Sequence, residues 1–307
     1  MLGIEAVASF VPENMIDNLE QADRFGAERE FVEKKIGVSR LPRLREDESV
    51  AYGCVEAFKT LAKTNAVDID KIDCLVVCTQ NPDSGGLPHN SAILHAELGL
   101  KEECACFDIG LGCSGYVYGL SIIESFMQAN GLKNGLFFTC DPYSKILNPE
   151  DKNTCLLFGD AATVTLISDR PKYVRAAAKF STRGAGREAL EKVDGHLTMN
   201  GRAVFNFALM DVPKQIKSLL ELEALSVTDI DLFLLHQGSR FMLENTIKRA
   251  GIPADRAPIE LSQTGNTVSS SIPILLEKRL DDMPGVILMS GFGVGLSWAS
   301  AIYTQNF

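Results

Sequence analysis

Cys113 is the residue from which chemistry is argued most directly. It sits in Asp108-Ile109-Gly110-Leu111-Gly112-Cys113-Ser114-Gly115-Tyr116: an apolar run, small residues, one thiol, then the start of a helix. A helix N-terminus offers unpaired N–H groups and a partial positive charge, and both favour a thiolate. No other cysteine among the eight has glycine on one side and a Ser-Gly helix start on the other. A nucleophilic thiol needs a partner that takes its proton. His236 ends the apolar run Leu232–Leu235 and precedes the turn Gln237-Gly238-Ser239. The C-terminal end of a strand is where α/β folds place their sites. Read alone, His236 is equally a hydrogen-bonded structural imidazole.

Asn266 is the third candidate, in Gly265-Asn266-Thr267-Val268-Ser269-Ser270-Ser271-Ile272-Pro273. In isolation it reads as a turn residue and helix cap. As a functional group, its amide N–H can hold a carbonyl oxygen that is gaining negative charge, with a neutral His236 donating from the other side. The C-terminal Gly291-Phe292-Gly293-Val294-Gly295-Leu296-Ser297-Trp298 is a poor dinucleotide motif, since no helix and no acidic residue follow it. Such a glycine turn can instead aim a backbone N–H; paired with that of Cys113 it makes a second oxyanion site.

The elements that must position these residues alternate along the chain, short apolar runs with amphipathic stretches, the pattern of an α/β protein. Strands are expected at 3–9, 72–79, 104–109, 135–141, 161–168, 231–236 and 285–291. Helices are expected at 49–64, 89–98, 114–130, 207–223, 238–250 and 270–281. The helix at 114–130 is apolar on most faces (Val117, Leu120, Ile122, Ile123, Phe126, Met127) and is expected to be buried in the middle of the molecule. Asp70–Cys78 resembles Thr228–His236, each a polar Asp-rich turn followed by a buried strand. Phe158-Gly159-Asp160 resembles Gly291-Phe292-Gly293 as a glycine turn entering a strand. A duplicated fold follows, with halves 1–169 and 170–307 divided at Asp169-Arg170-Pro171.

Composition narrows the classes. The chain has 307 residues, 46% hydrophobic and 23% charged, which is ordinary for a globular protein with a sizeable core. A net charge of −10 without a basic stripe argues against a nucleic-acid partner. The apolar runs are too short to span a bilayer, and the first residues lack a signal peptide's basic region and long apolar core. The cysteines, Cys74/Cys78 and Cys104/Cys106 included, read as reduced core thiols of a cytoplasmic protein. The histidines His89, His95, His196 and His236 form no metal-site spacing, so no metal is expected.

Taken in order, these pieces resemble the β-ketoacyl-ACP synthase III family of thiolase-fold condensing enzymes. The resemblance covers essentially the whole chain: Val11-Pro12-Glu13 with Asn18; Ile36-Gly37-Val38 with Arg40; Ile72-Asp73 and its strand; Leu87-Pro88; Cys113-Ser114-Gly115; Phe158-Gly159-Asp160; Met199 to Phe205; His236-Gln237; Gly265-Asn266-Thr267; and the C-terminal glycine loop. It implies a thiolase fold, two duplicated α/β halves in a five-layered αβαβα core, and a homodimer. It implies that Cys113 takes an acyl group from a thioester, with the N–H groups of Cys113 and Val294 holding the oxyanion. His236 and Asn266 then hold the carbonyl of a malonyl thioester as carbon dioxide leaves. Substrates are acyl-CoA and malonyl-ACP, with no permanently bound cofactor.

The resemblance also assigns coenzyme A or pantetheine contacts to Phe31, Lys35, Lys152, Gly201 and Phe205. Phe31 stands where the family carries a tryptophan, and Lys35 and Lys152 where it carries arginines; lysine lacks the planar bidentate contacts of arginine. Leu87 aligns with a residue that reaches across the dimer to floor the partner's acyl pocket, and leucine there implies a pocket longer than acetyl. His89 stands where a small residue is usual. Arg240, Lys248 and Arg249 are the basic face expected to dock acyl carrier protein. The alternative within the fold is an acyltransferase of a specialised pathway that moves the acyl group to a hydroxyl or amine without decarboxylation. Papain-like hydrolases also run Cys, His, Asn, but their cysteine signature is absent and the α/β alternation does not fit.

Overall fold

The computed structural model describes residues 1–306. In chain order the elements are β1 (Gly3–Phe10), β2 (Met15–Asp17), α1 (Asn18–Arg24), a π-helical stretch at Phe31–Ile36, β3 (Arg40–Pro42), α2 (Val50–Thr64), β4 (Cys74–Cys78), α3 (Asn90–Leu98), β5 (Ala105–Ile109), α4 (Gly115–Ala129), β6 (Asn134–Cys140), α5 (Lys152–Cys155) and β7 (Ala162–Ser168). There follow β8 (Tyr173–Thr182), β9 (Leu190–Val193), β10 (His196–Met199), α6 (Gly201–Leu222), β11 (Leu232–Leu235), α7 (Arg240–Ala250), α8 (Ser271–Glu277), β12 (Val286–Gly293) and β13 (Ser297–Gln305).

Strands β4 and β6 are near-continuous apolar runs because they are parallel and buried on both faces. The order β5-β4-β6-β7-β1 forms one sheet, and β11-β12-β13-β8 forms the other; the pairing of Ile4 with Tyr173 joins them. The two sheets repeat one pattern. In each, an antiparallel pair (β1–β7, β8–β13) is followed by a further antiparallel step (β7–β6, β13–β12) and then a parallel one (β6–β4, β12–β11). The Asp-rich turns noted in the sequence lead into β4 and β11, which hold equivalent places.

Helices α2 and α3 cover the outer face of the first sheet, and α6 and α7 that of the second; α4 and α8 lie between the sheets. This is the αβαβα thiolase architecture. Helix α4 departs in part from expectation: Leu120, Ile123 and Met127 are fully buried, but Ile122 is 37% exposed and Phe126 only partly covered.

Two long strands, β8 and β13, were not expected from the sequence. Strand β13 (SWASAIYTQ) is rich in serine and alanine, and what makes its polar residues tolerable in a core is tertiary: Ser300 Oγ lies 2.9 Å from both Ser290 Oγ and Gln215 Oε1. Helix α6 begins six residues before the expected 207, because Asn200 caps it by accepting from the Ala203 N–H at 3.0 Å. That extra length brings Gly201 and Phe205 onto its first turns. Helix α8 stops at Glu277, short of the expected 281.

Candidate active site

The site assembles where strand ends and helix starts of both halves meet. Strand β5 ends at Ile109, and a tight turn closed by the Gly115 N–H on the Gly112 carbonyl (2.7 Å) leads into α4. Cys113 precedes the N-cap Ser114 and is only 3% exposed. The β12–β13 loop presses on it from the other half. A Cβ added to Gly293 would lie 2.6 Å from the Cys113 Sγ, so only glycine fits there. The N–H groups of Val294 and of Cys113 itself both point at the sulfur. The expected thiolate is not the resting form, however. Burial, and then the charge of Asp141, push the thiol up to about 12 against those two N–H groups.

His236 follows β11 and is 2% exposed. Its N–H is held by the Ser290 carbonyl at 2.9 Å, and its ring stands edge-on to Phe292 (centroids 5.5 Å apart). Nδ1 lies 2.8 Å from Ser271 Oγ, which in turn lies 3.1 Å from the Val268 carbonyl oxygen. Burial pushes the imidazole down to about 3, so it is neutral near pH 7.

Asn266 is held by backbone pairing with the Phe158 turn: its N–H donates to the Leu157 carbonyl (2.9 Å), and its carbonyl accepts from the Gly159 N–H (3.1 Å). Gly265 makes the approach possible, with φ +63 and no room for a Cβ, which would lie 2.7 Å from the Leu157 oxygen. The Asn266 Oδ1 accepts from the Val268 N–H at 2.9 Å. With Oδ1 committed, the amide's two N–H donors are left for the cavity that Asn266 lines.

Cys113, His236 and Asn266 share one cavity of about 590 Å³. Of the residues expected to hold coenzyme A or pantetheine, Phe31, Lys35, Gly201 and Phe205 line it. Lys152 does not; it is exposed on α5, and its neighbour Asn153 lines the wall instead. The sequence reading missed Phe241, whose ring stacks on Phe205 (5.4 Å) under the Lys35 ammonium (3.7 Å). Met199 and Arg202, inside the stretch Met199 to Phe205 that carries the resemblance but not named there as contacts, also line the wall. Nothing in the local sequence marks Phe241; the early start of α6 and the packing of α7 bring these residues together.

Three other residues singled out in the sequence lie outside this cavity. Leu87, expected to reach a partner's pocket, does not line its own chain's cavity and is 85% exposed. His89 has a local role, capping α3: its Nδ1 accepts from the Ala92 N–H at 3.2 Å. Arg240 is not a free surface cation, because its side chain packs over Gly37 and its Nε is buried without a partner. Lys248 and Arg249 are exposed, but they sit in the last turn of α7, roughly 14 Å further along the helix axis than Ser239. Arg249 lines a second groove with Lys214 and Lys217.

Asp141, just past β6, was also missed. It is fully buried, accepts from the Gln80 N–H at 2.7 Å and from the Ser269 hydroxyl, and burial pushes it up to about 6.

Comparison with known proteins places this arrangement. A family model described as 3-Oxoacyl-[acyl-carrier-protein (ACP)] synthase III matches residues 107–184, the segment with Cys113. Its C-terminal counterpart matches residues 220–305, the segment with His236, Asn266 and Val294. The chain is 30% identical over 98% of its length, and 98% of the relative's, to a β-ketoacyl-[acyl-carrier-protein] synthase III of Streptococcus pneumoniae (strain Hungary19A-6). A crystal structure of a 3-oxoacyl-(acyl-carrier protein) synthase from Burkholderia xenovorans LB400 is similar at TM-score 0.92 and 34% identity, covering 99% of this chain and 94% of that one. A 2.1 Å structure of a 3-oxoacyl-(acyl-carrier-protein) synthase III matches at TM-score 0.92 and 32% identity, covering 100% and 99%. With its thiol beneath two backbone N–H groups, a neutral imidazole and an amide facing the same cavity, the chain belongs to the β-ketoacyl-[acyl-carrier-protein] synthase III family.

Proposed function

We propose that the protein transfers an acyl group from a thioester to Cys113 and then condenses it with a malonyl thioester, with loss of carbon dioxide. The observation that carries this reading is the convergence of Cys113, His236 and Asn266 on one cavity, with the Val294 and Cys113 N–H groups aimed at the sulfur. In loading, the Cys113 thiol gives its proton to His236 Nε2 as the sulfur attacks the acyl carbonyl. The oxyanion gathers the two N–H groups, the donor's carbon–sulfur bond breaks, and the departing thiolate takes a proton from solvent, so that His236 keeps the Cys113 proton on Nε2. In condensation, the malonyl carbon–carboxylate bond breaks and its electrons move to an enolate. The thioester oxygen is held by His236 Nε2–H and the Asn266 amide. The carbanion attacks the acyl carbon, and Cys113 leaves as thiolate and takes its proton back from His236 Nε2. No resident cofactor enters any step.

We assign malonyl-ACP as the extender and acyl-CoA or acyl-ACP as the donor, in the cytoplasm, where thiols stay reduced. Phe31, Phe205 and Phe241 suit an apolar pantetheine arm, while Lys35 and Arg202 suit its phosphate. Lys152, exposed beside the cavity wall, suits the outer phosphates of coenzyme A. Lys248 and Arg249 suit an acidic carrier.

A single experiment tests the reading. Intact-mass measurement follows exposure to a panel of CoA- and ACP-borne acyl groups from two to twelve carbons, and then to malonyl-ACP. We expect an acyl mass on the wild type and none on Cys113→Ala, with carbon dioxide and a β-ketoacyl product after malonyl-ACP. A Lys248→Glu/Arg249→Glu double variant should lose loading from carrier-borne donors and keep it from CoA-borne ones. Acyl release to an alcohol or amine without carbon dioxide would establish the alternative reaction, and no acyl mass on any form would overturn both.

A further inference from the structure

The two N–H groups that face the Cys113 sulfur come from segments far apart in the chain, one at the start of α4 and one in the turn between β12 and β13. Their spacing depends on how the β12–β13 hairpin is held against the nucleophile turn. Glycine lets the backbones close in. A Cβ on Gly291 would lie 2.6 Å from the Cys113 carbonyl oxygen, and one on Gly112 would lie 2.8 Å from Val294 Cγ1. Glycine has no side chain to grip with, however. Among the described residues, the turn at 110–115 and the hairpin share one hydrogen bond between side chains, Ser114 Oγ to Ser297 Oγ at 2.9 Å.

Both serines are buried, at 2% and 4% exposure. Ser114 directly follows Cys113 and is the N-cap of α4. An N-cap serine ordinarily accepts from its own helix's N–H groups; Ser114 caps none of them, and its hydroxyl turns across to Ser297 instead. Ser297 is the register partner of Gly293, the glycine pressed against the sulfur, and the two bracket the turn Val294-Gly295-Leu296. Either hydroxyl can donate while the other accepts, so the contact needs no particular proton arrangement. We propose that Ser297, acting through Ser114, is the positioning residue that holds the Val294 N–H beside the Cys113 N–H, so that the two close on one oxyanion. The inference rests on the acyl-loading step proposed above.

Ser297→Ala loosens the hairpin. Acyl mass at saturating donor should appear on Cys113 about 10- to 100-fold more slowly, the size of effect expected for a misplacement of about 1 Å, while the donor concentration giving half the maximal rate stays within about threefold. A second readout needs no acyl transfer. A Val294 N–H that no longer reaches the sulfur favours the thiolate less, so alkylation of Cys113 by iodoacetamide at pH 8 should slow about two- to fivefold. Ser297→Thr keeps the hydroxyl and should restore both rates. The Ser114→Ala/Ser297→Ala double variant leaves neither hydroxyl buried without its partner, and should lose no more than about twofold beyond Ser297→Ala alone. Variants that melt lower yet load and alkylate like the wild type would overturn the proposal. So would a Thr variant as slow as the Ala variant, or losses that multiply in the double variant. A wild type that takes no acyl mass, with alkylation still slowed in Ser297→Ala, would refute the loading step and support the positioning role.

Discussion

At Cys113 two opposing influences act on one sulfur. The helix start and the N–H groups of Val294 and Cys113 favour a thiolate, and fields of this kind are worth about 0.3–1 kcal/mol at an exposed terminus. Full burial can move a titration by several units the other way, each worth about 1.4 kcal/mol. Burial prevails here, and the Asp141 carboxylate adds to it. The Cys113 thiol therefore needs a base at the moment of attack, and His236 is placed to be that base. Replacing Asp141 with Asn removes the negative charge and should lower the thiol's titration range. Alkylation of Cys113 by iodoacetamide at pH 8 is expected to quicken up to about tenfold; an unchanged or slower rate would mean that the Asp141 charge does not reach the sulfur. The cysteine's address was legible in its flanking glycines. Its protonation state was not, because burial and Asp141 come from distant parts of the chain.

Elements carry the site by their ends. Cys113 precedes α4, His236 follows β11, Asn266 precedes α8, and Val294 turns between β12 and β13. All four had readable local signals, a glycine turn or an apolar run closing on a polar residue. The cavity's mouth had none, since Phe241 lies on an ordinary amphipathic helix and gains its role by stacking on Phe205. The loop before α3 has a different bearing. Leu87 is 85% exposed in the loop before α3, the helix that packs on the edge strand β5; Phe107 of β5 packs against Phe126 at 5.2 Å, and Ile122, one turn before Phe126 on α4, is 37% exposed. We propose that a second copy covers this face and receives Leu87 in its acyl pocket. Light scattering should then give twice 33.5 kDa. Leu87→Phe should narrow the accepted donors toward acetyl, read from the acyl masses on Cys113. A monomer, or an unchanged donor range, would count against this placement.

Across the whole molecule, the two halves are tied by a buried ionic contact. Glu124 of α4 accepts from Arg175 of β8 at 2.8 Å and from the Tyr303 hydroxyl of β13 at 2.9 Å, and Glu124 is 4% exposed. Burial raises its titration range, and Arg175 and Tyr303 work against that rise. Removing Arg175 leaves a buried carboxylate without its counter-ion, so Arg175→Ala should destabilise the fold by about 3 kcal/mol at pH 8. The deficit should shrink at pH 5. With Glu124 raised above its unfolded value, the folded state holds a proton that the unfolded chain has released, so stability falls as pH rises through that window. Urea unfolding at both pH values checks this; a deficit independent of pH would place the effect in packing.

The sequence by itself determined the α/β alternation, the strands that are apolar throughout, the repeated Asp-rich turns before β4 and β11, and the three side chains at strand and helix ends. These are local properties of composition and spacing, and they survive folding unchanged. Tertiary structure alone decided β8 and β13, whose serines and alanines are satisfied by neighbours far away in the chain. It also decided that Arg240 packs inward, that Leu87 points away from its own cavity, and that Ser271 and Asp141 stand behind His236 and Cys113. Each of these depends on segments distant in the chain that folding brings alongside, and a hydroxyl or carboxylate carries no mark in the sequence of the partner it will meet there.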